Sequence, residues 1–273
     1  MNTTVKACCK INIGLNVVAK LPNGYHSLET VFYPVPLYDE ITVKDSTSSE
    51  DGISLDGHQL DGDPNDNLAL RAVRTLRANG YEVPAVHITL CKNIPSGAGL
   101  GGGSSDAAAV MRCLNDSLGL GVPTQEMERM LATLGADCPF FIHSRPLYAE
   151  GIGDIFTPVA LDLKGWHLLL VKPDDHISTK EAYSAVKPAP SKVSLRDTLS
   201  LSVEQWRGLV NNDFEDSVFP LHPHVREIKQ SMYEQGASYA SMSGSGSTVF
   251  GLFRDEVKDT EMFSGNFVFQ CVL

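Results

Sequence analysis

Pro95-Ser96-Gly97-Ala98-Gly99-Leu100-Gly101-Gly102-Gly103-Ser104-Ser105-Asp106, followed by Ala107-Ala108-Ala109-Val110-Met111, is the stretch on which the fold turns. Five glycines in twelve residues give a backbone that reaches positive φ and lets another group come close. Ser104 or Ser105 is the residue type that caps a helix, and Asp106 in a first turn suits the helix dipole. A loop rich in backbone donors that enters a helix N-terminus is an anion site. A glycine-rich linker is the plainer alternative, but linkers do not lead straight into a capped, alanine-rich helix. The expected ligand is a phosphate.

Working outward, Lys92-Asn93-Ile94 precedes the loop and follows a short strand expected over 86–91. A helix is expected over 67–79, with Asp66 or Asn67 as its cap, Leu68, Ala72, Val73 and Leu76 on one side, and Asn79-Gly80 as its stop. Upstream, residues 5–18 alternate. Ala7, Cys9, Ile11, Ile13, Leu15 and Val17 form an apolar face, while Lys10, Asn12 and Gly14 share the opposite one. An exposed lysine on a sheet is the ordinary reading of Lys10, with the small Gly14 leaving room for a ligand beside it. Leu21-Pro22-Asn23-Gly24 is a turn, and Tyr25 and His26 follow it directly. Strands are expected over 28–35, made irregular by Pro34 and Pro36, and over 40–44. Residues 46–66 read as surface loop with a short strand at 53–55.

Downstream, the helix after the glycine loop carries Val110, Met111, Leu114 and Leu118 as core residues and closes at Gly119. A second helix, capped by Thr124, ends at Gly135 and leads to Gly135-Ala136-Asp137-Cys138-Pro139. Asp137 there is a lone carboxylate whose ordinary role is turn formation. Residues 148–156 form a turn between strands, and 166–172 a buried strand. Ser178 or Thr179 caps a helix containing Tyr183. Residues 187–192 are an exposed connection, 202–210 open with a capping-box pattern, and 222–235 are helical. A second glycine-serine stretch, Met242-Ser243-Gly244-Ser245-Gly246-Ser247-Thr248, precedes Val249-Phe250, and a last strand spans 266–272. The boundary between the halves is expected within 145–165, giving 1–155 and 156–273.

The chain has 273 residues, 42% of them hydrophobic, enough for a substantial core. Its 33 acidic and 22 basic residues leave a net charge of -11, which argues against general binding of nucleic acid or anionic membranes. A small phosphorylated ligand held by backbone donors stays compatible with that charge. The cysteines Cys8, Cys9, Cys91, Cys113, Cys138 and Cys271 form no C-x-x-C pair and no zinc spacing, so they read as reduced, buried thiols. With no signal-peptide pattern and no apolar run of about 18 residues, a cytoplasmic location is expected. Nothing in the pattern sets an oligomeric state.

The glycine stretch lacks the Gly-Lys-Ser/Thr of a Walker A loop, and no distinct ribose-binding acid follows it as in dinucleotide folds. It resembles instead the phosphate motif of the GHMP kinases. Lys10-Ile11-Asn12, Asn23-Gly24-Tyr25-His26, Gly135-Ala136-Asp137-Cys138-Pro139 and Gly244-Ser245-Gly246-Ser247-Thr248 occur in the family's order, so the resemblance spans nearly the whole chain. It implies an α+β fold of two domains, the N-terminal one like ribosomal protein S5 domain 2 and the C-terminal one ferredoxin-like. It also implies an ATP-dependent small-molecule kinase accompanied by Mg2+, with no acidic cluster marking the metal's ligands. By the same resemblance Asp137 is the general base and Lys10 its charge partner, while residues 95–105 wrap the ATP phosphates. Asn67 and Lys92 match positions near the adenine, Asn67 being equally a helix cap. Asn12, His26, Gly244 and Ser245 match positions facing the acceptor, and Tyr25 one that stacks on its cytosine. Tyr183 is either the second plate of that clamp or a core residue.

Tyr25 and His26 point to an acceptor alcohol carrying a cytidine diphosphate, as in the family member of isoprenoid biosynthesis. Homoserine, mevalonate or a sugar is the alternative acceptor, and none of these has a base to stack. A non-catalytic nucleotide-binding relative is the other alternative. The presence of both Lys10 and Asp137 tips the balance to an enzyme. Asn23 stands where the family often has Asp, and serves the same turn.

Overall fold

The computed structural model describes residues 1–59, 63–191 and 193–273. Residues 60–62, within the expected 46–66 surface segment, and Lys192, in the expected 187–192 connection, lie outside the described residues. The chain forms two compact units, and neither is continuous in sequence. One comprises Met1–Cys9, Leu37–Ser96 and Gly101–Arg145; the other Lys10–Pro36, Gly97–Leu100 and Pro146–Leu273. Strands β1 (Asn2–Lys20) and β2 (His26–Asp45) contribute residues to both. β2 corrects the expectation of two strands, because the backbone stays extended through Pro34 and Pro36.

In the first unit β3 (Gly52–Gly57) pairs in parallel with β4 (Val86–Lys92), and β4 pairs antiparallel with β2, Thr42 facing Thr89. Helix α1 (Leu68–Ala78) starts where the Asn67 side chain accepts the amide of Ala69 at 2.9 Å. It buries Ala69, Leu70, Ala72, Val73 and Leu76, and packs on α2 (Gly102–Leu118). Each fully buried leucine or valine stabilises by roughly 1.5–3 kcal/mol. Helix α2 begins two residues before the expected serine caps. Gly101, at φ 71°, is its N-cap, so Ser104 and Ser105 lie inside the first turn. Likewise Thr124 is the first residue of α3 (Thr124–Ala132) and Pro123 its cap, and that helix ends before Gly135. The one-turn helix α4 (Phe140–His143) follows.

In the second unit the first part of β2 pairs with β5 (Leu147–Glu150), which pairs with β6 (Ile155–Pro158). A separate antiparallel sheet has the order β10 (Phe267–Val272), β7 (His167–Lys172), β9 (Val249–Phe253), β8 (Tyr239–Met242). Four consecutive residues of β7, 168–171, are buried, the mark of a strand covered on both faces. Helices α5 (Thr179–Ser184), α6 (Leu195–Leu199), α7 (Phe214–Val218) and α8 (Pro223–Glu234) belong to this unit. Val225, Ile228 and Met232 of α8 join Leu169, Val171, Val249 and Met242 in its core. The capping box at Ser202 opens only a single 3-10 turn, Val203–Gln205. Two short helices, α6 and α7, escaped the sequence reading because neither is long enough to show a helical period.

Candidate active site

The phosphate-loop stretch has a regular backbone alternation. Gly97, Gly99 and Gly101 take φ of 60°, 72° and 71°, in the left-handed region where side chains are strained. Alternating left-handed residues turn successive amides toward one side, forming an anion-binding concavity. At Gly99 there is a second constraint, since a Cβ there would stand 2.0 Å from the carbonyl oxygen of Ser243. Glycine is needed at Gly99 for both conformation and close approach. The first turn of α2 has no side-chain cap, so its leading amides keep their orphan character. These features fit a bound phosphate group.

Residues of strand β1 and the turn after β8, all in the second unit, meet at Gly99. The ammonium of Lys10 donates to the Gly99 carbonyl at 2.8 Å and to Oδ1 of Asn12 at 2.6 Å. The Ser243 hydroxyl donates to the same carbonyl at 2.9 Å and accepts the Asn12 amide at 3.2 Å. The Lys10 amide donates to the carbonyl of Leu100 at 2.9 Å. Contrary to the reading of an exposed sheet lysine, Lys10 and Asn12 are each only 3% exposed. The room expected beside Gly14 is taken by protein, for a Cβ there would meet Leu195 Cδ1 at 2.5 Å. Gly244, at φ 56°, has Asn12 Oδ1 and the Gly99 carbonyl next to its open face, and Ser245 follows it in the turn. Asn212 holds that turn, donating to the carbonyls of Met242 at 2.7 Å and Gly244 at 2.9 Å.

Tyr25 is 60% exposed at the turn before β2. His26 stacks on Tyr183 with centroids 4.6 Å apart and planes 18° from parallel, and Tyr183 meets Phe214 edge-on. Helix α5, which carries Tyr183, is capped by Ser178 and tied by Glu181 to His222, which also contacts Asp175, both at 3.0 Å. Burial pulls the His222 imidazole down, but its two carboxylate partners outweigh that and raise it above its ordinary value.

In the first unit the turn bearing Asp137 sits against the first turn of α2. A Cβ on Gly135 would meet Cys138 Sγ at 3.3 Å and Ser104 Oγ at 3.9 Å. Asp137 is half-buried between α3 and α4. Burial pushes the neighbouring Cys138 thiol up to about 11, the Ser104 hydroxyl opposes this and the Asp137 charge adds to it, so the thiol is inert. Lys92 is 2% exposed and forms ion pairs with Asp39 and, at 2.8 Å, with Asp106. The other oxygen of Asp39 accepts the amides of Asn93 at 2.6 Å and Ile94 at 2.8 Å. This triad therefore joins β2, the strand end before the loop, and α2, where Asp106 lies past the first turn expected for it because the helix starts at Gly102. Asp106 Oδ1 is buried with no hydrogen-bond partner among the described residues.

Thr30, Ser243, Asn212 and Asp39 were not singled out in the sequence. Ser243 lay within the second glycine-serine stretch, but the others carry no local signal, since their partners lie far along the chain. Among the described residues no group of three or more His, Cys, Asp or Glu is placed to hold a metal, and no helix is long and apolar enough to cross a membrane.

The GHMP kinases N terminal domain matches residues 67–145 and the GHMP kinases C terminal domain residues 195–264. A 4-diphosphocytidyl-2-C-methyl-D-erythritol kinase of Bacteroides fragilis is 49% identical over 267 residues, 97% of either chain. One from Parabacteroides distasonis is 48% identical over 266 residues, 96% of either chain. A crystal structure of 4-(cytidine 5'-diphospho)-2C-methyl-D-erythritol kinase superposes with a TM-score of 0.81 at 32% identity, covering 98% of each chain. A homoserine kinase from Cytophaga hutchinsonii, at 18% identity and a TM-score of 0.61, shares the fold alone. The chain belongs to the GHMP kinases and, among them, to the 4-diphosphocytidyl-2-C-methyl-D-erythritol kinases.

Proposed function

We propose that the family's reaction runs on this chain with Asp137 as general base, Lys10 as its charge partner and the glycine loop as the holder of ATP. The reaction is ATP-dependent phosphorylation of the 2-hydroxyl of 4-diphosphocytidyl-2-C-methyl-D-erythritol, a step of the non-mevalonate isoprenoid pathway. The acceptor oxygen attacks the terminal phosphorus, its bond to the departing diphosphate breaks, and the hydroxyl proton passes to the Asp137 carboxylate. Such transfers depend on positioning and charge stabilisation more than on covalent chemistry. The observation that carries the reading is the Gly99 carbonyl, held at once by the Lys10 ammonium and the Ser243 hydroxyl. That arrangement fixes a buried positive charge against the phosphate loop.

In this reading the amides of residues 95–105 bind the ATP phosphates. Lys92 serves the nucleotide side by bracing the loop, and Asn67 stands near the adenine while capping α1. Asn12, Gly244 and Ser245 face the acceptor. Tyr25 stacks on the cytosine, and the His26–Tyr183 pair completes the aromatic surface beside it. Mg2+ bound with the nucleotide would offset the charge of its phosphates. A division into residues 1–155 and 156–273 accords with one family match in each half. A cytoplasmic location suits small, diffusible substrates.

An acceptor screen with purified protein, ATP and Mg2+ tests the proposal. The cytidine diphospho-alcohol should be phosphorylated, with homoserine and sugars turned over at background. Equal turnover of homoserine would overturn the role of the aromatic surface.

A further inference from the structure

A buried chain of hydrogen bonds leads away from Lys10. Its far end is the carbonyl of Gly14, which accepts the Thr30 hydroxyl at 2.5 Å. Thr30 in turn accepts Nδ2 of Asn12 at 3.0 Å, and Oδ1 of Asn12 accepts the Lys10 ammonium at 2.6 Å. All three side chains are buried, Thr30 at 1% exposure.

The two ends of this chain fix its direction. A carbonyl only accepts and an ammonium only donates, whereas a hydroxyl and a carboxamide each do both. Because Gly14 takes the single hydroxyl proton of Thr30, Thr30 faces Asn12 only as an acceptor. The amide must then turn its NH2 toward Thr30 and its oxygen toward Lys10. The reverse orientation would aim an NH2 group at a buried ammonium and leave two acceptors facing each other at Thr30. Gly14 itself is fixed, its φ of 65° and its contact with Leu195 admitting no larger residue.

We infer that Thr30 is a positioning residue for the phosphoryl transfer, acting through the orientation of the Asn12 amide to hold the Lys10 ammonium on the Gly99 carbonyl. This rests on the role proposed for Lys10 and extends it to a residue that touches no reacting atom. The hydroxyl is the operative group, and the methyl is dispensable.

Variants at Thr30 and Lys10, with NMR of the parent protein, test it. Thr30→Val removes the hydroxyl at nearly constant shape, and its kcat should fall about 10-fold to 100-fold, as misplacing a catalytic group does. KM for ATP should change less than about threefold, because the loop amides are untouched. Thr30→Ser should restore kcat to within about threefold of the parent, since the hydroxyl bonds are kept. Unchanged kcat in Thr30→Val, or equal loss in the serine variant, overturns the inference. Independently of whether the valine variant folds, NMR of the parent protein should show the Asn12 NH2 protons close to the Thr30 methyl. Contacts from those protons to the Lys10 ε-methylene instead would overturn it. Lys10→Met separates the two claims. Lost turnover there with intact turnover in Thr30→Val removes only the role of Thr30, while intact turnover in Lys10→Met removes the catalytic reading beneath it.

Discussion

Lys10 and Lys92 are both buried lysines beside the glycine loop, and the contacts that hold them tie down different parts of the molecule. The ammonium of Lys92 lies between two carboxylates, Asp39 and Asp106. The Lys10 ammonium donates to the Asn12 carboxamide and to the main-chain carbonyl of Gly99. Two neutral acceptors help set where the Lys10 ammonium points, and two carboxylates offset the buried charge of Lys92. Lys92 is thus suited to bracing, since Asp39 also grips the amides of Asn93 and Ile94 at the loop's entry. In the proposed mechanism Lys10 is the charge partner of Asp137, and Asn12 and the Gly99 carbonyl orient its ammonium. The contrast is one of reach: the contacts of Lys92 tie β2, β4 and α2 together, while those of Lys10 with Asn12 and Gly99 set one ammonium against the glycine loop.

The largest effect should come from the proposed carboxylate of the reaction. Asp137→Asn is expected to cost about 10²–10⁴-fold in kcat, the range for a lost general base, with ATP binding retained in a titration. Near-parental turnover would leave Lys10 with no proton acceptor to serve. On the bracing side, Lys92→Met strands two buried carboxylates and should lower stability by about 3–5 kcal/mol in urea unfolding. A loss below about 1 kcal/mol, typical of exposed pairs, would erase the distinction between the two lysines.

A pH experiment sharpens the asymmetry within the triad. Burial pushes the Asp106 carboxyl up to about 7, Lys92 opposing and the like charge of Asp39 adding. Lys92 is itself raised: desolvation pulls it down, but Asp106 and Asp39 pull harder. The two shifts are compatible because one ammonium serves two carboxylates. Asp39 accepts two amides besides, while Oδ1 of Asp106 is buried with no hydrogen-bond partner among the described residues, so burial weighs on Asp106. Between the ordinary carboxyl value and about 7 the folded state binds more protons than the unfolded one. Stability from this group is therefore present at low pH and lost as pH rises through about 7. Asp106→Asn should flatten that decline, and an unchanged slope would place the proton elsewhere. The smallest effect is expected at the loop's periphery, where Asn67→Ala should cost about 1 kcal/mol through the lost cap of α1. A much larger rise in KM for ATP than in other variants of similar stability would show that Asn67 also serves the adenine.

Much of the site was legible because its residues announce themselves locally. The alternation of Gly97, Gly99 and Gly101 marks the phosphate loop, and Lys10 and Asn12 stand two apart on one strand, hence on one face. What stayed hidden depends on partners far along the chain. Ser243 reaches a carbonyl 144 residues away, and Asn12 meets Thr30 18 residues on. No spacing encodes such a contact. The α2 start was misplaced for a different reason: Ser104 and Ser105 satisfy the usual cap preference, but the left-handed Gly101 ends the loop first. In β2, Pro34 and Pro36 suggested a break, while the proline φ is itself compatible with an extended strand.

The division between a bracing lysine and a working one is tested most directly by measuring single-turnover rate and urea midpoint in Lys10→Met beside Lys92→Met. The structure predicts a crossed result. Lys10→Met should lose turnover by at least about 10²-fold, as expected where a positioned charge stabilises the transition state, while keeping a midpoint near the parent's. Lys92→Met should lose midpoint first, with residual turnover in the fraction that stays folded. A Lys10→Met protein that turns over normally, or a Lys92→Met protein as stable as the parent, would contradict it.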